Sequence, residues 1–170
     1  MSYHTNHSVY REMVLEHLFV GEIMRYHWMH GLPHVEMLKS QVDASGYDIV
    51  LESGSITRHI QLKASHVGSH TPHVPINSAL AQRPSGCIVW MYFDPETLHF
   101  THFLWFGSDP GTPLPSIENF KVATHNKRNA KEIKTERKHT RMLPRGKFVR
   151  LDTIADVGTA LFGTSTMEAS

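Results

Sequence analysis

The chain has 170 residues, of which 40% are hydrophobic and 19% charged, and its net charge is +1. This length suits a single domain, residues 1–170, with a hydrophobic core of its own. The single cysteine excludes an intrachain disulfide and a cysteine-based zinc site. No apolar run approaches the roughly 18 residues of a membrane span, and the first residues lack the apolar segment of a signal peptide. We therefore expect a cytoplasmic protein with no membrane partner.

The apolar spacing predicts a long, mostly buried helix from Val9 to His30, ended by Gly31 and Pro33. Two β-like runs follow, separated by the turn Ser53-Gly54-Ser55. Further strands are predicted at 86–93, where Cys87 would be a buried thiol, and at 98–107. The charged segment 121–141 is predicted to be exposed and partly helical, and 151–163 to form a closing helix that stops at Gly163. The expected fold class is α/β, with a central mixed β-sheet flanked by helices.

The hairpin raises a question of its own, because its apolar strands contain an Asp, a Gln and a Lys. If Gly54 and Ser55 are the central residues of a type II′ turn, Ser53 lies opposite Ile56 and Asp48 opposite Gln61. Alternation then places Asp48, Gln61 and Lys63 on one face of the sheet. The opposite face would carry the apolar residues Tyr47, Ile49, Leu51, Ile60 and Leu62.

A carboxylate, an amide oxygen and an ammonium group on one sheet face suit a hard cation such as Mg²⁺, which prefers oxygen ligands. Lys63 beside a metal-bound water would orient that water or stabilise charge on a phosphate. This is chemistry for hydrolysing phosphodiesters. A solvated sheet face with a cross-strand ion pair is the alternative interpretation of the same three residues.

The stretches "GEIMRYHWMHG", "GYDIVLE" and "HIQLKAS" together resemble the motif of the PD-(D/E)XK nucleases. That superfamily includes restriction endonucleases and Holliday-junction resolvases, and the chain is most similar to small bacterial and intron-associated members with a Gln-x-Lys motif. The resemblance implies the restriction-endonuclease-like fold and a Mg²⁺-dependent endonuclease, with Mn²⁺ as a substitute. It implies that Asp48 and Gln61 bind the metal, that Lys63 is catalytic, and that Glu22 is the helix carboxylate that assists them.

Two features depart from the motif, and one assignment stays open. Gln61 stands where many members have an acid, which removes one negative charge, and no proline precedes Asp48. Glu16 is the alternative helix carboxylate, because the helix is apolar nearly all round and its inward face is not determined. Glu22 is preferred, since several apolar residues lie close to it at helical spacing. We expect the sheet face with Asp48, Gln61 and Lys63 to be the one nearer this carboxylate.

The segment 121–141 holds eight Lys or Arg against two Glu, so it carries +6 while the rest of the chain carries −5. Such a segment suits the phosphate backbone of nucleic acid, with DNA favoured over RNA. A solvated charged face is the alternative. The sequence does not decide whether the chain pairs as a homodimer. The predicted contacts are Lys121, Lys127, Arg128, Lys131, Lys134, Arg137, Lys138 and Arg141.

Two rival functions remain open at this point. The first is a nuclease-like module that has lost cleavage activity and only binds nucleic acid or a protein. The presence of Gln61 in place of an acid leaves this function open. The second is a histidine-rich metal-binding protein, for which His66, His70 and His73 are the candidate ligands. Their spacing is not a recognised zinc pattern.

Overall fold

The computed structural model describes residues 8–39, 45–128 and 134–164, with side chains described outside 125–136. In chain order, the elements are α1 (Ser8–Met29), β1 (Val35–Lys39), β2 (Ile49–Ser53), β3 (Ile56–His66), β4 (His73–Asn77), β5 (Gly86–Phe93), β6 (Phe100–Gly107), β7 (Val122–Arg128), β8 (Lys134–Pro144), β9 (Val149–Leu151) and α2 (Ile154–Phe162). Short 3₁₀ helices lie at Ser78–Gln82 and Arg145–Lys147. The fold class is α/β, as predicted.

Six strands form the main sheet in the order β1-β2-β3-β5-β6-β9. Only β3 and β5 are parallel, so the sheet is mixed. Strand β5 lies inside the sheet and all eight of its residues are buried. The remaining strands form a second, antiparallel sheet in the order β4-β8-β7.

The two faces of the main sheet pack against different layers. Both helices pack on one face, where Phe19 and Leu161 join Ile60 in one hydrophobic core. The second sheet covers the other face, where Ile76 and Leu143 join a separate core. The prediction that helices flank the sheet is therefore correct for one face only, because the other face is covered by the second sheet and not by helices.

The two predicted helices are confirmed, with their ends shifted by up to three residues. Helix α1 ends before Gly31, whose φ of +62° is a conformation that glycine adopts without strain. Helix α2 begins with a capping box in which Thr153 and Asp156 exchange hydrogen bonds. Gly163, at φ +77°, donates its N–H to the carbonyl of Thr159 and ends α2.

The predicted hairpin register is confirmed along the whole of β2, from Ser53 opposite Ile56 to Ile49 opposite Ile60. Gly54 has a φ of +59° and Ser55 does not have a positive φ, as a type II′ turn requires. The placement of Tyr47 beside Ile49 is wrong. Its ring packs 4.9 Å from that of His59, in the core beneath the second sheet, because strand alternation does not extend before the start of β2.

The described parts of the basic segment, 121–128 and 134–141, are almost entirely strand, so the prediction of a partly helical region is wrong for them, and 129–133 lie outside the described residues. Strands β7 and β8 pair antiparallel, and β8 also pairs with β4, which the sequence did not reveal as a strand. Leu143 and Ala123 supply the few buried apolar contacts of this pair. The charged side chains on both strands hide the alternation that usually marks a strand, so pairing with β4 decides the conformation.

Candidate functional site

The hairpin strands part at Asp48, which directly precedes β2. The backbone N–H of Asp48 donates to the carbonyl of Ile60 at 2.9 Å. The next hydrogen bond to β3 comes from the Asp48 side chain, whose Oδ2 accepts the N–H of Leu62 at 2.7 Å. Strand β3 continues to His66, beyond its pairing with β2. A carboxylate is therefore held against the segment of β3 that contains Gln61 and Lys63.

A cleft of about 570 Å³ opens at this point, between the N-terminal half of α1 and the main sheet. Three carboxylates and three cations line it, among apolar residues from α1, β3 and β5. The lining carboxylates are Glu12, Glu16 and Asp48, and the cations are Arg11, Lys39 and Lys63. A dense mixture of both signs in a concave site is typical of sites that bind ions or charged substrates.

Two of these charged groups join α1 to the edge strand β1. The Lys39 ammonium lies 2.5 Å from the Glu16 carboxylate, whose side chain is only 12% exposed. The Arg11 guanidinium stacks 5.7 Å above the ring of Phe93, which fixes another cation near the cleft. Arg11, Glu12 and Lys39 were not singled out in the sequence. The spacing of Glu12 and Glu16 by one helical turn was the signal that could have found the first carboxylate.

Glu22 does not line the cleft, so its expected place beside Asp48 is wrong. Its carboxylate forms an ion pair with Arg25 at 2.6 Å, and its side chain is 37% exposed. Six residues separate Glu22 from Glu16, which places the two side chains about 120° apart around the helix. Because Phe19 and Ile23 face the sheet, it is Glu16 that points to the cleft.

Gln61 and Lys63 share the sheet face opposite α1, since they pair with Ile88 and Trp90 of β5. We expected that face to be the one nearer the helix carboxylate, and this is wrong because α1 needs the apolar face for its own core. Lys63 reaches the cleft at the sheet edge, whereas Gln61 does not line it. Gln61 is 5% exposed and its buried Oε1 has no hydrogen-bond partner.

The donor set of this region fits a hard cation. Carboxylate oxygens of Asp48 and Glu16 line the cleft, whereas the side chain of Gln61 lies on the other face of β3 and does not contribute to this donor set. Within the described ranges, no three His, Cys, Asp or Glu side chains are close enough to hold an ion on their own. Mg²⁺ commonly uses one or two carboxylates and keeps several waters, so this arrangement suits it better than Zn²⁺.

The predicted nucleic-acid contacts that the structure describes lie on the second sheet or directly before its strand β7, and not in the cleft. Lys121, Arg137 and Lys138 are exposed, whereas Arg141 is half-buried and donates to the carbonyl of Lys138 at 2.8 Å. The backbone of Lys127, Arg128 and Lys134 lies in β7 and β8, without a described side chain, and Lys131 lies outside the described residues.

His66 at the end of β3, His70 in the following loop and His73 at the start of β4 are all exposed. The Nδ1 atom of His66 lies 2.7 Å from the carbonyl oxygen of Val67 and so takes part in a local hydrogen bond. His70 and His73 belong to no metal-binding group within the part of the chain that the structure describes.

Two histidines outside the cleft have pKa values below the ordinary range. Burial lowers the pKa of His59, and the nearby Arg83 lowers it further. Burial also lowers the pKa of His102, together with Arg150 and Arg145. The His102 ring stacks on Tyr92 and the His59 ring packs edge-on against Tyr47, both in the core beneath the second sheet, so their role is in packing.

Comparisons of the chain with protein-family models, with curated proteins and with solved structures gave no match. Across the described residues, neither helix has the length and apolar character needed to cross a bilayer.

Proposed function

We propose that the chain is a metal-dependent nuclease of the PD-(D/E)XK type with a restriction-endonuclease-like fold, acting on DNA in preference to RNA. One observation carries the proposal. The Asp48 carboxylate accepts the N–H of Leu62, the residue between Gln61 and Lys63, in a cleft that Lys63 and Glu16 also line. The motif residues other than the helix glutamate thus belong to one short stretch of the hairpin.

The residues of the cleft have separate roles in the proposed reaction. Asp48 and Glu16 would hold Mg²⁺ or Mn²⁺. Gln61, the other ligand that the resemblance implies, faces the opposite side of the sheet and does not line the cleft, so it has no role in holding this cation. When bound, the cation supplies a water of lowered pKa and stabilises negative charge on phosphate. Lys63 orients the attacking water or stabilises the charge on the phosphate oxygens. Water adds to phosphorus, the bond from phosphorus to the leaving oxygen breaks, and that oxygen takes up a proton.

The helix carboxylate of this proposal is Glu16, in place of the Glu22 that the sequence favoured. Glu16 lines the same cleft as Asp48, and its side chain is largely shielded from solvent. Its ion pair with Lys39 compensates the cost of that partial burial while the cleft holds no cation. Cation binding and the Lys39 contact would then compete for the same carboxylate.

An inactive nucleic-acid or protein binding module is the second candidate function. The observation that favours it is Gln61, which is neutral and buried and does not line the cleft. A site with one charge fewer holds a divalent cation less tightly, since affinity depends on the number of charged ligands. The exposed cations of the second sheet would serve this function equally well.

The test compares cleavage by the wild-type chain with cleavage by Asp48→Ala and Lys63→Ala. Duplex, nicked, branched and single-stranded substrates are each incubated with Mg²⁺ and with Mn²⁺. We expect both variants to lose on the order of 10²-fold or more in rate, because each lacks a group that acts on the reacting phosphate or on its cation. Asp48→Ala should also lose cation binding, whereas Lys63→Ala should retain it.

Asp152→Ala is the matched control, since this carboxylate is exposed and pairs with Arg150 on β9, outside the cleft. It should cleave like the wild-type chain. If the wild-type chain binds nucleic acid but cleaves no substrate faster than Asp48→Ala does, the nuclease proposal is abandoned in favour of the binding module.

A further inference from the structure

The solvent-facing side of α1 is apolar, which is unusual for a helix that lies on the surface. Of the eleven large hydrophobic side chains that are exposed in the described ranges, seven belong to this helix. Trp28 is 82% exposed and Tyr10 is 61% exposed. A helix that is apolar all round is normally covered on every side, so this face is expected to be covered by another molecule.

The exposed face has a regular order along the helix. We call it the outer stripe, and it consists of Tyr10, Val14, His17, Gly21, Met24 and Trp28. These residues are separated alternately by four and three positions, which is the spacing of a helix-packing seam. The buried residues Leu15, Phe19 and Ile23 lie on the opposite side of α1, against the main sheet. The stripe therefore points directly away from the core.

Gly21 lies in the middle of the outer stripe without a role inside the molecule. A Cβ added at Gly21 would meet no atom within 4 Å. Glycine inside a helix lowers helix stability relative to alanine, and no close packing at Gly21 within the described protomer compensates this loss of stability. A small residue on an exposed helix face allows a second helix to approach closely. Gly21 thus marks the point where the covering molecule would cross α1.

We propose that the outer stripe is covered by the outer stripe of a second copy of this chain, with the two α1 helices antiparallel about a twofold axis. This arrangement places Tyr10 opposite Trp28 of the partner, Val14 opposite Met24, and His17 opposite Gly21. The large His17 ring meets the smallest residue of the stripe, so the surface is self-complementary in size. An isologous contact of this kind is the commonest symmetry of homo-oligomers.

The exposed apolar area is close to that of a small dimer interface. Aromatic side chains bury about 150–250 Å² each, so the exposed parts of Tyr10 and Trp28 leave roughly 300 Å² to cover. Met24 of the outer stripe, with Met13 and Leu18 beside the stripe, adds roughly 120 Å², at about 100 Å² for a whole side chain. Two protomers would then bury roughly 850 Å² of apolar area, which lies at the low end of the range for specific interfaces.

The charges next to the stripe do not oppose such a contact. Glu22 and Arg25 lie at its rim and neutralise each other through their own ion pair. Glu12 and Glu16 line the cleft on another side of α1. The proposed dimer therefore leaves that cleft open, and the inference does not depend on the proposed nuclease activity.

The first experiment measures the mass of the full chain by sedimentation between about 1 and 100 µM, a range that covers micromolar dimers. We expect a dimer for the wild-type chain and a loss of about 30-fold or more in dimer affinity for Trp28→Glu and for Met24→Glu. Val149→Glu is the matched control, because Val149 is an exposed apolar residue, at 60%, that lies on β9 and outside the outer stripe, and this variant should dimerise normally.

Gly21→Ala separates the effects on the protomer and on the contact. The added methyl group meets no atom of the same chain, so this variant should unfold at a higher temperature than the wild-type chain when both are monomeric. Its dimer should nevertheless be weaker, since the methyl group would meet the partner's helix. An unchanged or stronger dimer would show that Gly21 is not at the crossing point and would overturn the proposed arrangement.

Cysteine cross-linking tests the orientation, and the native thiol does not interfere. Cys87 is fully buried, and burial raises the pKa of its thiol to about 12. Disulfides should form when Tyr10→Cys is mixed with Trp28→Cys, and should not form in Trp28→Cys alone. A disulfide between two chains of Trp28→Cys would overturn the antiparallel arrangement, and a monomeric wild-type chain at every concentration would overturn the dimer.

Discussion

The Asp48 carboxylate accepts the backbone N–H of Leu62 at 2.7 Å, so one side chain extends the hydrogen bonding of the hairpin beyond Ile49 and Ile60, where the backbone pairing of β2 with β3 stops. The contact gives Asp48 a structural role as well as the proposed chemical one. It also ties the position of the carboxylate to the strand that carries Lys63. Substitutions at Asp48 can separate these two roles.

Asp48→Asn should retain the structural contact and lose the charge. The amide oxygen can still accept the N–H of Leu62, so the free energy of unfolding should stay close to that of the wild-type chain. Asp48→Ala removes the acceptor and should cost about 1 kcal/mol. Urea unfolding without divalent cations measures both values. Equal stability of the Asn and Ala variants would mean that the Leu62 contact contributes nothing.

The assignment of the helix carboxylate predicts different results for two glutamates of α1. Glu16→Gln should lower cleavage on the order of 10²-fold and weaken Mg²⁺ binding, because it removes a charged ligand from the cleft. Glu22→Gln should leave both unchanged, since Glu22 pairs with Arg25 outside the cleft. Cleavage rates and Mg²⁺ titrations on the two purified variants decide between them. If Glu22→Gln lowered cleavage and Mg²⁺ binding while Glu16→Gln did not, Glu22 would be the helix carboxylate.

Gln61→Glu should lower stability by the same amount with and without divalent cations. The side chain is buried and faces away from the cleft, so a carboxylate there costs free energy that a cation held by Asp48 and Glu16 does not compensate. The variant should therefore unfold at a lower temperature than the wild-type chain both in a chelator and in Mg²⁺. Thermal unfolding with and without Mg²⁺ measures the effect. If Mg²⁺ restores the stability of the variant, position 61 contacts the cation.

The exposed cations of the second sheet predict a change in the salt dependence of binding. Arg137→Ala combined with Lys138→Ala should lower the slope of log affinity against log salt by about two, since each lost phosphate contact lowers it by about one. Arg25→Ala combined with Arg150→Ala removes the same charge from exposed side chains elsewhere and should leave the slope unchanged. Identical slopes for the two double variants would mean that Arg137 and Lys138 do not contact nucleic acid and that β8 is an ordinary solvated surface.

The buried histidines predict that stability falls in mild acid. The pKa values of His59 and His102 in the folded chain lie below the ordinary value of 6.5, so the unfolded chain binds protons more readily. The free energy of unfolding should be highest above about pH 6.5 and fall as the pH drops through the folded pKa values. Asp94 and Asp156 also have lowered pKa values, but carboxylates act in a separate window at lower pH.

Urea unfolding between about pH 7.5 and 5 measures this dependence, which spans the ordinary histidine range. His102→Phe keeps a ring against Tyr92 and removes one titrating group, so its stability should depend less on pH. Thr101→Val removes the hydroxyl contact to the His102 ring but keeps the titration, and is the control. A His102→Phe variant with the full wild-type dependence would rule out His102 as a source.

Local signals in the sequence were sufficient for the helices and for the hairpin. The apolar spacing of α1, with Gly31 after it, and the Ser53-Gly54-Ser55 turn each act within a few residues, where backbone sterics and side-chain periodicity decide the conformation. The same turn determined the register from Ser53 to Ile49, and the strand prediction at 86–93 coincides with β5. The paired register ends with Ile49 opposite Ile60, so the contact of Asp48 with Leu62 depends on the Asp48 side chain and not on the predicted pairing with Gln61.

Only the tertiary structure decided what each of these elements faces. Helix α1 has apolar residues on all sides, so its sequence could not tell whether Glu16 or Glu22 turns toward the sheet, and packing against Ile60 and its neighbours selected Glu16. The strands β7 and β8 carry too few apolar residues for a visible alternation, and pairing with β4 made them strands. These choices depend on contacts between residues far apart in the chain, because burying a face requires a second surface that local sequence does not contain.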